Sequence, residues 1–468
     1  MVGTLEGQPI DSREERNLPG HDIFFTPENS DFCSNAYSVL DKTKREIRLL
    51  KILPDSGSGF VECELLPETP LTDLEYRYHA LSYCAGDPHE TEVILVDGMR
   101  CNVFANLEHA LKVARYLWSS QCRDEDFLLW ADQLCINQTD LSERSHQVGF
   151  MREIYEKAKQ TLVCLSNPKL GGIGMRWLID LCQNMPPRKT GVKREGTMFY
   201  RDRVKRCISG NLAQQNFVDG LVGFYDLLGS PWWSRAWVFQ EFIVSADVVF
   251  LAGDFFIPWK DALSVLGIFV FIHEELFGPS RSALSFHSRR PRSMDPSRVR
   301  VLGRLGRNED QEHVEAFASL VRTKLDWRGD IPLKRVLVHS RLCRASGDRD
   351  RVYAFVGLAP DYGIVPDYSV PNSISKVLIE TTQKIITLDN KLDILAQALV
   401  PSSSRDPTLP SWVVDWTHRG YCEIDSMDDG VGSRVLDVLH WAPPNENVFL
   451  YANASFEALD SPRVLVRP

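Results

Sequence analysis

An α/β fold is predicted: a parallel-rich sheet core over residues 37–255, a mostly helical region after it, and a small terminal β segment. Three observations lead there. Phe127–Ala131 and Thr161–Leu165 are near-continuous apolar runs of strand length, as in strands covered on both faces. Amphipathic helical patterns lie between such runs, and strand–helix alternation builds parallel sheets. From about Trp259 to Leu399 the apolar spacing is mainly helical.

The segments follow in order. Residues 1–36 are polar and turn-rich and are expected to be loosely ordered. Glu46–Ile52 reads as a strand ended by Pro54, and Phe60–Leu65 alternates as a half-buried strand should. Tyr78–Tyr83 is a third strand, closed by Gly86-Asp87-Pro88. Val93–Val96, the turn Asp97-Gly98 and the stretch through Cys101 and Val103 form a hairpin. Asn106 is placed to cap a helix with Leu107, Ala110, Leu111, Ala114, Leu117 and Trp118 on one face. Asp140 caps another, with Val148, Met151, Ile154, Tyr155 and Ala158 as its buried stripe. Two stretches break the order: Pro186–Arg206, with a basic cluster, and the Arg/Ser/Pro-rich insertion 281–307 within the helical region 256–400. Both read as solvated loops, with anion binding the alternative. Residues 401–468 return to strand-like composition and end within it.

Composition narrows the classes. The net charge of −10 argues against a general DNA or RNA binder. No basic and apolar leader opens the chain, and no apolar run reaches the roughly 18–20 residues of a membrane span. The eleven cysteines form neither a Cys-x-x-Cys pair nor a Cys/His cluster, so no metal, no disulfide framework and a reducing setting are expected, cytoplasmic with the nucleus as the alternative. A cysteine hydrolase built on Cys135 is disfavoured, because His146 alone lies near in sequence and no glycine-rich elbow surrounds the thiol. Gly171-Gly172-Ile173-Gly174 lacks the lysine or third glycine of a phosphate loop.

Several motifs, in order, resemble those of the fungal heterokaryon-incompatibility (HET) domain. They are Tyr78–Tyr83 with Gly86-Asp87; Asn106-Leu107 with Ala110-Leu111; Leu129–Asp132 running into Cys135-Ile136-Asn137-Gln138; Glu143-Arg144 through Ala158; and Trp233–Glu241 with Gly253-Asp254. Asp348–Leu358, Pro366–Ser369 and Leu409–Trp416 resemble segments beyond the domain in full-length relatives. The chain departs from the family pattern at Ala85-Gly86, where Trp-Gly is usual, at Gln133-Leu134 and at Leu165-Ser166.

The resemblance implies a TIR/flavodoxin-like core and an effector of non-self recognition and programmed cell death. In TIR-like enzymes that split NAD, a Trp precedes the catalytic glutamate by four residues. Trp237 and Glu241 keep that spacing, so Glu241 is the candidate catalyst, NAD the candidate substrate, and no cofactor is implied. The alternative has Trp237 in the core and Glu241 in a salt bridge. Ser82, Tyr83 and Asp132 end strands where a nucleotide would sit; Asp132 could equally cap the next turn. Asn137 and Gln138 read a polar ligand or hold their loop. Arg235, like Arg144, clamps a phosphate or pairs with a nearby glutamate. A non-enzymatic assembly module, acting by homo-oligomerisation or with a signalling partner, and a metabolic enzyme reusing the domain stay open.

Overall fold

Apolar runs too short for helices, separated by turn residues, assemble here into one nine-stranded mixed sheet. The computed structural model describes residues 36–121, 126–165, 172–184, 194–263, 265–266, 309–341, 343–369, 371–398, 408–418, 453–457 and 463–467, with Asn29, Phe32 and Asp406 as single positions. The strands are β1 (Leu50–Ile52), β2 (Glu62–Leu65), β3 (His79–Ser82), β4 (Thr91–Val96), β5 (Met99–Phe104), β6 (Phe127–Trp130), β7 (Gln160–Cys164), β8 (Val248–Ala252) and β9 (Phe255–Pro258). Their order across the sheet is β9-β8-β7-β3-β6-β1-β2-β4-β5.

The central block β8-β7-β3-β6 is parallel throughout. Both flanks bring antiparallel pairs, β9 on β8 and β6-β1-β2, with β4 parallel to β2 and antiparallel to β5. The sheet is therefore mixed, with its parallel character confined largely to the block that the two apolar runs define. Those runs, in β6 and β7, lie one strand apart with β3 between them. Counted in chain order, the block runs 2-1-3-4, so the connections leave β3 and β7 in opposite directions. In doubly wound sheets such a switch opens a crevice at the C-terminal strand ends.

Local chemistry explains the framing elements. Asp97 and Gly98 both take positive φ (52° and 76°), the two-residue turn that a twisted hairpin requires. Helix α1 (Ala105–Gln121) packs on β4, β5, β7 and β8 through the predicted face. Asn106 is not its cap: its amide donates to the Cys84 carbonyl at 3.0 Å and ties down the loop after β3. After the single turn α2 (Asp132–Cys135), Asp140 caps α3 (Leu141–Gly149), accepting from the Ser142 and Glu143 amides. Helix α4 (Met151–Glu156) continues the buried stripe.

Two further expectations fail. Glu46–Ile52 is not one strand: Glu46–Ile47 pairs with Thr69–Pro70, and Arg48 turns inward to Glu143 before β1 begins. The basic stretch 194–206 is not a loop but part of helix α6 (Arg194–Asn211), which buries Val204 and Ile208. Residues 186–193 and the insertion 281–307 lie outside the described residues.

Helices α5 (Ile173–Asn184) and α7 (Gln215–Leu228) pack together, and α8 (Val238–Ile243) lies on α4 and β3. The helical region comprises α9 (Glu309–Asp326), α10 (Leu333–His339), α11 (Asp350–Val356) and α12 (Ile374–Asp389). It grips the segment carrying α8. Arg344 and Ala236 share a backbone bond of 2.9 Å. Gln240 donates to the Ala354 carbonyl at 2.9 Å. Lys324 donates to the Phe242, Ile243 and Ser245 carbonyls at the end of α8. Residues 453–457 and 463–467 form an antiparallel strand pair.

Candidate functional site

At the C-terminal end of β3, Ser82 is followed by Tyr83, and the chain then turns at Gly86, whose φ is +86°. A Cβ there would sit 2.5 Å from the Asn106 amide, so glycine keeps the loop against α1. From the other side, Pro231–Ser234 forms a short 3-10 turn that delivers Trp232, and α8 follows with Glu241 in its first turn. Trp237 stands immediately before α8, and its carbonyl accepts from the Glu241 amide at 3.2 Å.

These elements bring Glu241 against Ser82. The Ser82 hydroxyl donates to Glu241 Oε2 and accepts from the Trp232 indole N–H at 2.8 Å. Arg235 Nη1 is 3.9 Å from Glu241 Oε1 and donates to the Tyr83 carbonyl. Tyr83 donates its hydroxyl to Asp132 Oδ1 at 3.0 Å. Glu241 is 2 % exposed and Ser82 1 %. Asp132, Arg235 and Trp237 are half-buried.

The electrostatics follow from this packing. Burial pushes the Glu241 carboxyl up to about 7; Arg235 and the Ser82 hydrogen bond act against it, and Asp132 adds to it. Burial opposes the Arg235 charge, but Glu241, Cys84, Asp132 and Tyr83 together outweigh it and the guanidinium is held well above its usual range. Burial and Asp132 both push the Tyr83 phenol well above its usual range, so it remains a donor. A buried group near 7 at the strand ends is poised to be a carboxylate or an acid at neutral pH.

The other sequence-predicted residues divide. Asp132 also accepts from the Gln133 amide at 2.9 Å, and Gln138 donates to the Asp132 carbonyl at 2.8 Å. Asn137 accepts from Thr139, and its own amide donates to Glu143 at 2.7 Å. Gln138 and Asn137 thus hold the loop that carries Asp132. Glu143 forms a two-bond ion pair with Arg48 (2.7 and 3.1 Å), and Arg144 lies over the Tyr368 ring at 4.8 Å. Cys135 is buried with its thiol pushed up to about 12 by burial, unsuited to nucleophilic work. Sequence reasoning missed Trp232, which contacts Ser82 from 150 positions away; only its place beside the Trp233–Glu241 motif marked it.

The model of the heterokaryon incompatibility protein (HET) family matches residues 78–241, from the residue before β3 to Glu241 itself. Over this part the chain is a homologue of the fungal HET-domain proteins. Heterokaryon incompatibility protein 6, OR allele, of Neurospora crassa is 27% identical over 391 residues, which cover 73% of this chain and 53% of the relative. The chain thus spans about half the length of that curated relative. No solved structure matches significantly.

Proposed function

We propose that this chain is an effector of fungal non-self recognition and cell death that hydrolyses the bond between nicotinamide and ribose in NAD. The observation that carries this reading is the convergence of Ser82, Arg235 and Glu241 at the switch of a 2-1-3-4 parallel block, with Trp237 at the entrance to the glutamate's helix. That strand order supports a TIR/flavodoxin-like core, and α8 begins where a nucleotide would lie.

In this mechanism Glu241, as carboxylate, faces the ribose and stabilises positive charge at its anomeric carbon as the glycosidic bond breaks. Nicotinamide leaves neutral, so no acid need protonate it. Water adds to the anomeric carbon, and its proton passes to solvent by way of Glu241. Arg235 is freed to bind the diphosphate once the ribose displaces it from the carboxylate. Asp132 and Tyr83 meet the ribose hydroxyls, and Trp237 borders the ring. Assembly of copies in the cytoplasm opens the crevice.

The tight burial of Glu241 and Ser82 and the Arg235 ion pair favour a second reading, a non-enzymatic assembly module. Nicotinamide release by the purified full chain at high concentration decides between them. Glu241→Gln is expected to lower it by two to three orders of magnitude, since such electrostatic groups contribute about 3–4 kcal/mol. Equal rates in wild type and a folded, assembled variant point to the module.

A further inference from the structure

We propose that Trp232, through Ser82, is the positioning residue that sets the orientation and ionisation of Glu241. Donor chemistry fixes the direction of the chain. An indole nitrogen can only donate, and a serine hydroxyl has one hydrogen. With Trp232 Nε1 giving its hydrogen to Ser82 Oγ at 2.8 Å, the serine's own hydrogen is free to go to Glu241 Oε2. The order is therefore indole N–H to hydroxyl to carboxylate, and each bond polarises the next. A hydroxyl that already accepts a hydrogen bond is the better donor, so the carboxylate form is favoured.

Trp232 is suited to this because it cannot move. It is fully buried, and its ring meets Trp233, Phe242 and Phe250 edge-on at centroid distances of 4.8, 6.0 and 6.2 Å. Trp233 in turn meets Phe317 of α9 at 4.9 Å, so the helical region braces the relay. A bond aimed by a rigid cluster costs no reorganisation when charge develops. Other charged or titratable groups act on Glu241 as well: Arg235 and Asp132 on the carboxylate itself, with the Tyr83 and Tyr155 phenols beside it. None of them accounts for the indole pointing at Ser82.

In its role for turnover the inference rests on the proposed hydrolysis of NAD, but its test does not need turnover. The full chain is labelled with ¹⁵N-tryptophan. The Trp232 indole signal is assigned by its loss in Trp232→Phe or, should that variant not fold, by its displacement in Ser82→Ala. Between pH 5 and 9 the wild-type signal is expected to titrate once, with a midpoint near that of Glu241. It is expected to be static in Glu241→Gln and in Ser82→Ala. In folded Trp232→Phe, the Glu241 carboxyl, read by ¹³C, is expected to titrate about one pH unit higher, a tenfold change in its ionisation constant. A static wild-type indole, an indole that still titrates in Glu241→Gln, or an unmoved carboxyl in Trp232→Phe overturns the relay. Nicotinamide release with a static indole removes Trp232 and leaves the enzyme; a titrating indole without nicotinamide release removes the NAD reading and leaves the relay.

Discussion

Burial raises the Glu241 carboxyl from its ordinary value of 4.5 to about 7, so the folded chain holds a proton there that the unfolded chain releases. Between those two values the folded state binds more protons, and stability falls as pH rises. Above pH 7 the whole cost is present, about 3 kcal/mol for such a difference in pKa. Glutamine does not titrate. Relative to Glu241→Gln, the wild type is therefore expected to lose about 3 kcal/mol between pH 4.5 and pH 8, measured by urea unfolding at each pH. Parallel pH dependence in the two proteins would remove the buried titration. The family resemblance, through the four-residue spacing to Trp237, marked the glutamate as a candidate and Ser82, Tyr83, Asp132 and Arg235 as its companions, but the bonds among them were not legible. Ser82 meets the glutamate from the other end of the domain and takes the Trp232 indole hydrogen there, and no local pattern announces a contact between residues 82 and 232. Arg48 was hidden for the same reason: nothing local in its strand-like segment announces that it is buried against Glu143.

Elements were legible where periodicity and turn chemistry agreed. The runs in β6 and β7 are apolar because both faces are covered, and that alone placed them inside the sheet rather than at its edges. Asp97-Gly98 announced its hairpin by the positive φ that it needs. Helix α6 was misread because its basic residues mask the Val204 and Ile208 stripe. The seam between α5 and α7 depends on absent side chains: a Cβ on Gly174 would lie 2.1 Å from the Gly223 carbonyl oxygen, and one on Gly220 2.5 Å from the Trp177 ring. Gly174→Ala is expected to force the helices apart and cost about 1–3 kcal/mol in denaturant unfolding, as overpacked cores do. An unchanged midpoint would show that the seam yields without cost.

Across the whole molecule, the helical region is continuous with the sheet's own core rather than an appendage. Phe239 meets Phe355 at 5.3 Å, Trp233 meets Phe317, and Lys324 takes the last carbonyls of α8. Sequence showed that region as helices but not where they dock, since the docking partners lie about 80 to 115 positions from α8. A chain ended after Pro258 bares this aromatic face and loses the Lys324 contacts. It is expected to lose cooperative unfolding and to bind a hydrophobic dye; a sharp, wild-type-like transition would show that the sheet stands alone. The most direct test of the chemistry at its centre is the pH profile of nicotinamide release from NAD by the full, assembled chain. In the proposed mechanism the carboxylate form of Glu241 does the work, so turnover is expected to fall about tenfold per pH unit below a limb near 7, and that limb is expected to vanish in Glu241→Gln. Turnover that is flat from pH 5 to 8, or that keeps the same limb in the glutamine variant, would contradict it.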